Sequence, residues 1–255
     1  MRNRRPFADI MAATIFMTTK DQEIPYETGG FASDLAGLFN FLIDPEGAAK
    51  RVHSKWFWVV PLLLLGAIGI GVGLYMMPMI LHVAAVAPPP DGVTPEQQAR
   101  GVGMVGTFAK IGVYLSPILA AIFWAIEAGI LLAIAAVTGV KARFGELFNL
   151  AAGCSIIQTL GSIATAVILH FKGEVSTSAE LKPAMGFDIF MPEGTNKYLM
   201  ALGGSFSIFQ IWWVVMMALV FAAAFRTSKM KGFIAVLPLW IFAVLLSMLG
   251  AMFQR

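Results

Sequence analysis

The sequence predicts an all-α, polytopic membrane protein: five transmembrane helices preceded by short N-terminal amphipathic helices lying in the membrane plane. Three observations lead there. Hydrophobic residues make up 58% of the 255 and charged residues only 13%, about half the charge of a soluble domain. The apolar residues are gathered into blocks of about 20 or more, the length that crosses ~30 Å of hydrocarbon at ~1.5 Å per residue. Lys and Arg, finally, are concentrated in alternate connections between those blocks. Three parts follow: a flexible or surface-lying segment over 1–30, amphipathic and basic helices over 31–55, and the five-helix domain over 56–255.

The opening MRNRRPFADIMAATIF is basic and then apolar, as in a signal peptide, but Asp9 interrupts it and no small-x-small cleavage site closes it. It reads instead as a surface helix with Phe7, Ile10, Met11 and Ile15 on one side. The run SDLAGLFNFLI follows, with Ser33 as a cap and Leu35, Leu38, Phe39 and Leu42 at helical spacing. It is too short to span and is expected in the membrane plane. In DPEGAAKRVHSKWFW, Asp44 is an N-cap, Pro45 suits the first helical position, and Glu46 sits where the helix dipole favours an anion. Lys50, Arg51 and Lys55, then Trp56 and Trp58, make the order in which a helix leaves anionic headgroups for hydrocarbon.

The five blocks run over Trp56–Leu81, Ile111–Val137, Leu150–Phe171, Leu199–Phe225 and Phe233–Phe253. Cys154, Ser155, Gln158, Thr159 and Ser162 dilute the third, which predicts that the other four shield it from lipid. Between the first two, Thr94 can cap a helix that has Pro95 at its first position. Twelve of the 18 Lys and Arg fall on one side. Seven precede the first span, Lys141 and Arg143 lie in the second loop, and Arg226, Lys229 and Lys231 in the fourth. The positive-inside rule then places the N-terminus in the cytoplasm and the C-terminus outside.

Glu127 is the only acid inside a predicted span, and an intramembrane acid is a functional candidate by default. Gln158 and Gln210 are its possible partners. One reading is an acid hydrogen-bonded to a neighbouring helix, and the other is an ion or proton relay. Gly69 and Gly73, four apart, and Gly203, followed by Ser207, let helix backbones approach closely. The glycines of LGAIGIGVGLY have no phosphate-binding Lys and no preceding strand, which excludes a nucleotide loop. Pro61, Pro78, Pro117 and Pro238 sit in or at the ends of spans and can bend them. No metal site, cofactor or disulfide is expected, since there is one cysteine and the three histidines lack metal-ligand spacing. No nucleic-acid partner is expected either. His-Glu-x-x-His, Gly-x-Ser-x-Gly and paired membrane aspartates are all missing from the sequence, so catalysis is not expected.

The opening WFWVVPLLLL, with its preceding basic segment, and the stretch KARFGELFNLAAGCSIIQTLGSI resemble the Yip1 domain family over residues 35 to 250, and bacterial members most. The resemblance implies a non-enzymatic five-helix bundle in a bacterial cytoplasmic membrane, acting as a scaffold or partner-binding subunit. Its partners would be the lipid bilayer and other membrane proteins or further copies of itself. The inner face for such contacts would hold Lys141, Arg143, Phe144 and the segment from Arg226 to Lys231. A small permease or channel using Glu127, and an accessory subunit of a larger membrane complex, are the alternatives.

Overall fold

The computed structural model describes residues 30–89, 92–192 and 194–252. The surface helix expected around Phe7 to Ile15 lies outside them. All regular structure among the described residues is helical: α1 Phe31–Ile43, α2 Pro45–Val52, α3 Val59–Val86, α4 Pro95–Thr138, α5 Phe144–Lys172, a 3-10 turn Phe187–Phe190, α6 Lys197–Gly204, α7 Ile208–Ala224 and α8 Lys229–Met252.

Four helices, α3, α4, α5 and α8, are each long and apolar enough to cross a membrane, and the α6–α7 pair, bent by 48°, passes the same test only when its two helices are taken together. The helices fall where the five spans are expected, with two differences. The second is much longer than its apolar block. Thr94 Oγ1 accepts from Gln97 N (3.3 Å) while Thr94 N donates to Gln97 Oε1 (2.9 Å). With Pro95 at the first helical position, this capping box starts a helix that runs without interruption for 44 residues. It ends at Gly139, whose φ of 72° lets Val140 N reach back to Ala135 O at 2.8 Å.

The fourth span is expected as one helix over Leu199–Phe225, but it breaks between Gly204 and Ile208. Ser207 Oγ accepts from Gln210 N (3.2 Å) and so caps a new helix. The loop between α5 and α6 folds back into the break. A Cβ on Gly203 would stand 2.9 Å from Asp188 N, and one on Gly186 2.6 Å from Gly203 O. Phe187 stacks on Phe206, which packs edge-on against Trp240.

At the heart of the bundle is α5, which touches α1, α2, α3, α4 and α7. Of its apolar stretch, 44% is buried inside the bundle, against 22–28% for α3, α4 and α8. The shielding is less complete than the sequence reading expects: α8 does not touch α5, and of the residues that dilute it Cys154 is buried while Gln158 and Ser162 are exposed. The largest core surrounds it, with Leu147, Leu150, Cys154 and Ile157 fully buried among Phe57, Leu131, Met217 and Phe221.

At the start of α1 the structure corrects the sequence reading of Ser33. The helix begins at Phe31, and Ser33 N and Asp34 N both donate to Gly30 O, so Gly30 is the N-cap and Ser33 sits in the first turn. The α1 stripe packs mostly against protein. Leu38 and Phe41 are fully buried in the core, with Leu35 and Leu42 against it, while Phe39 and Ile43 point outward.

Candidate functional site

Two places gather the chemistry of this chain, one at the basic end of the bundle and one at mid-depth. At the basic end, the linker from Val52 to Trp58 must turn from α2 into α3, which leaves backbone groups without helical partners. Asn149, on the second turn of α5, takes up three of them. Its Nδ2 donates to Val52 O at 3.0 Å and to Ser54 O, and its Oδ1 accepts from Trp58 N at 3.1 Å. His53 spans the same junction: Nε2 donates to Ala224 O at 3.0 Å, and Nδ1 lies 3.1 Å from Glu146 Oε1. Glu146 Oε2 in turn accepts from Arg143 N at 2.8 Å.

The same end anchors α1. Phe41 stacks on Phe57 with ring centroids 5.4 Å apart. Its ring fills the space that a side chain at Gly153 would need. Trp212 Nε1 donates to Leu42 O at 2.8 Å. Arg51 Nη1 lies 3.1 Å from Asp34 Oδ1, so this basic residue turns partly inward. Burial pushes the Asp34 carboxyl above the ordinary aspartate range, with Arg51 pulling the other way. Trp58, half-buried, packs edge-on against Phe148. Lys50, Lys55, Trp56, Lys141, Arg143, Arg226, Lys229 and Lys231 are exposed.

At mid-depth, a half-open cleft of about 280 Å³ lies between α3, α4 and α5, with Trp213 of α7 reaching it. Glu127 lines it, eleven residues from the end of α4. That is ~16 Å along the helix, close to the middle of a ~30 Å hydrocarbon layer. Ser116, Ser155, Gln158, Thr159 and Ser162 are the other polar residues around it. Gln158 is brought to the same cleft as Glu127, yet its Nε2 donates to Gln210 Oε1 at 3.0 Å instead. Among the described residues, Glu127 makes no hydrogen bond or ion pair. Gln210 lines a separate cavity of about 190 Å³ with Ser205, Trp240 and Ser247. The Gln158–Gln210 bond thus joins the walls of the two cavities.

Gly69 and Gly73 sit where α3 crosses α4. A Cβ on Gly73 would come 2.7 Å from Val113 Cγ2, and one on Gly69 3.8 Å from Ser116 Oγ. Gly66 is tighter than Gly69, at 3.0 Å from the Pro117 ring. Gly203 meets the loop between α5 and α6 and not another span, with Met191 Cε at 2.7 Å from its ideal Cβ. Among the described residues no group of three or more His, Cys, Asp or Glu could hold a metal. His170, near the end of α5, hydrogen-bonds Tyr75 of α3 at 2.7 Å.

Sequence reasoning passed over Asn149, Gly153, His53, Glu146 and Asp34. A signal was available for three of them. Glu146, Asn149 and Gly153 fall at i, i+3 and i+7 within FGELFNLAAG, one polar-and-small stripe on a helix that is otherwise apolar.

No curated protein and no solved structure matches the chain. The family model of the Yip1 domain does, over residues 39–251. That span starts inside α1 and reaches almost to the end of α8, so it takes in the clamped junction, the cleft and every helix from α2 to α7. The chain belongs to the Yip1 domain family.

Proposed function

We propose that this protein is a non-enzymatic membrane scaffold or partner-binding subunit of a bacterial cytoplasmic membrane, with its N-terminus in the cytoplasm and its C-terminus outside. The observation that carries the reading is the clamped junction. Asn149, His53 and the Phe41–Gly153 contact fix α1 and α2 against the ends of α5 and α7. A rigid basic and aromatic face results, with Lys50, Lys55, Trp56, Lys141, Arg143, Arg226, Lys229 and Lys231 exposed on it. Such a face suits anionic headgroups, and a rigid one presents a constant geometry to a protein partner at little ordering cost. The test is affinity purification in mild detergent after in-cell crosslinking, read by mass spectrometry. Defined membrane proteins should co-purify, and Lys141→Glu with Lys229→Glu and Lys231→Glu should remove them. Recovery of the chain alone from both forms would refute the scaffold reading.

A small permease or channel is the second reading, favoured by Glu127 at mid-depth and by the two cavities meeting at Gln158 and Gln210. It requires solvent to reach Glu127. A cysteine introduced at Ala120 in a Cys154→Ala background should react with a water-soluble maleimide if that path exists. Resistance to the reagent removes this reading.

A further inference from the structure

The mid-depth cleft gathers polar groups without protein partners and holds no cation. Ser155 Oγ donates to Ala152 O (2.6 Å), Thr159 Oγ1 to Ser155 O (3.1 Å) and Ser162 Oγ to Gln158 O (3.2 Å). Each hydroxyl proton is therefore spent on its own helix, leaving oxygen lone pairs as the remaining capacity. Gln158 has one amide hydrogen bond, through Nε2 to Gln210, which leaves its carbonyl oxygen as an acceptor and its second amide hydrogen as a donor. Glu127 adds a carboxyl without a protein partner, and the buried Ser116 Oγ has no hydrogen bond at all. Polar groups at this depth are costly when unsatisfied. No Lys, Arg or His lines the cleft.

The rest of the lining is apolar, including Leu65, Val72, Phe123, Trp124 and Trp213. Of the lining residues, Phe123, Gln158 and Ser162 are exposed. All three lie in the middle of spans, so the mouth opens toward lipid acyl chains. At about 280 Å³ the space equals about nine water volumes. That holds a small polar head and a few methylenes, not a folded segment.

We propose that this cleft is a binding site for the head of a non-anionic amphiphile that donates hydrogen bonds and enters sideways from the bilayer. An uncharged hydroxyl-bearing lipid of the diacylglycerol type and a long-chain amine share this chemistry. An anionic head is rejected, because it would bury a negative charge beside the Glu127 carboxyl with no Lys, Arg or His to offset it. The inference does not rest on the scaffold reading.

The full chain in nanodiscs of neutral phospholipid is titrated with dioleoylglycerol, octadecylamine or dioleoylphosphatidic acid, and occupancy is read by native mass spectrometry. At least one of the two donors should bind saturably, and the phosphatidic acid should not. Glu127→Leu and Ser116→Ala should each weaken binding, the former by about tenfold, as expected for losing a bond to a carboxyl. Ala120→Phe should abolish it by filling the cleft. Glu127→Gln separates the two sources, since it keeps an acceptor oxygen for a hydroxyl but removes the counter-charge for an ammonium. Failure of both donors to bind, equal binding of phosphatidic acid, or unchanged binding in both Glu127→Leu and Ser116→Ala would overturn the proposal. If Ala120→Phe proves unfolded by its melting curve, those two smaller substitutions decide.

Discussion

Replacing Asn149 by Ala removes three hydrogen bonds at once, those to Val52 O, Ser54 O and Trp58 N. The side chain is only 3% exposed, so water does not readily replace them. Each bond contributes about 1 kcal/mol net, and stranding a buried backbone group costs about 1–3 kcal/mol. The loss is therefore at least about 3 kcal/mol. At about 2–4 °C per kcal/mol for a chain of this size, melting should fall by about 6–12 °C. Asn149→Asp should be worse than Asn149→Ala, because it keeps the acceptor for Trp58 N but turns an oxygen toward two carbonyls. The chain supplies its own probe, since its one cysteine, Cys154, is fully buried and five residues further along α5. A thiol-reactive dye in mild detergent becomes fluorescent only as the bundle opens. A melting point for Asn149→Ala within about 2 °C of the parent, less than 1 kcal/mol on this scale, would refute the idea that this side chain holds the α2–α3 junction.

Other perturbations test separate parts of the same structure. Burial holds the Asp34 carboxyl above its ordinary value of 3.8, against the pull of Arg51. A raised acid contributes stability below its unfolded value and loses it as pH rises through the folded one. Asp34→Asn, which fixes the neutral form, should thus gain stability relative to the parent between pH 4 and pH 7, and a relative loss over that interval in thiol-dye melting would contradict the assignment. Glu180 is pushed the other way, to about 2, first by the Ser176 amide and then by Lys172 and the Thr177 amide. Its contribution to the outer loop is present above the ordinary glutamate range and is lost as pH falls toward 2, and Glu180→Gln should speed hydrogen exchange at Ser176 and Thr177 at neutral pH. Gly232→Val should part α7 from α8 by forcing a side chain onto Ala218 O, lowering stability by about 1–3 kcal/mol in the same dye assay. An unchanged melting point there would mean that the crossing is looser than described.

The described residues show where local information suffices and where it does not. Apolar blocks, their capping residues and the Lys and Arg between them are contiguous signals. Asp44 accepting from Gly47 N and Thr94 starting α4 follow from a few neighbouring residues. The break in the fourth span was less legible, because GGSFS weakens a helix without saying whether the chain bends. The docking of the Phe187–Phe190 turn against Gly203 supplies the missing term. Partnership within the cleft was not legible at all. Glu127, Gln158 and Gln210 stand on three helices, and the rotation and axial offset of each decide that Gln158 bonds Gln210 while Glu127 faces open space.

The sequence by itself determined that this chain lives in a bilayer, where its apolar helices fall, and which family it resembles, because transfer of apolar blocks from water to lipid is settled residue by residue along the chain. Only the tertiary structure decided that α1 is plugged into Gly153, that Asn149 holds the α2–α3 linker, and that unpartnered polar groups of α4 and α5 converge at mid-depth. Those outcomes depend on how helices turn toward one another, a packing choice that many rotations of the same hydrophobic pattern would satisfy.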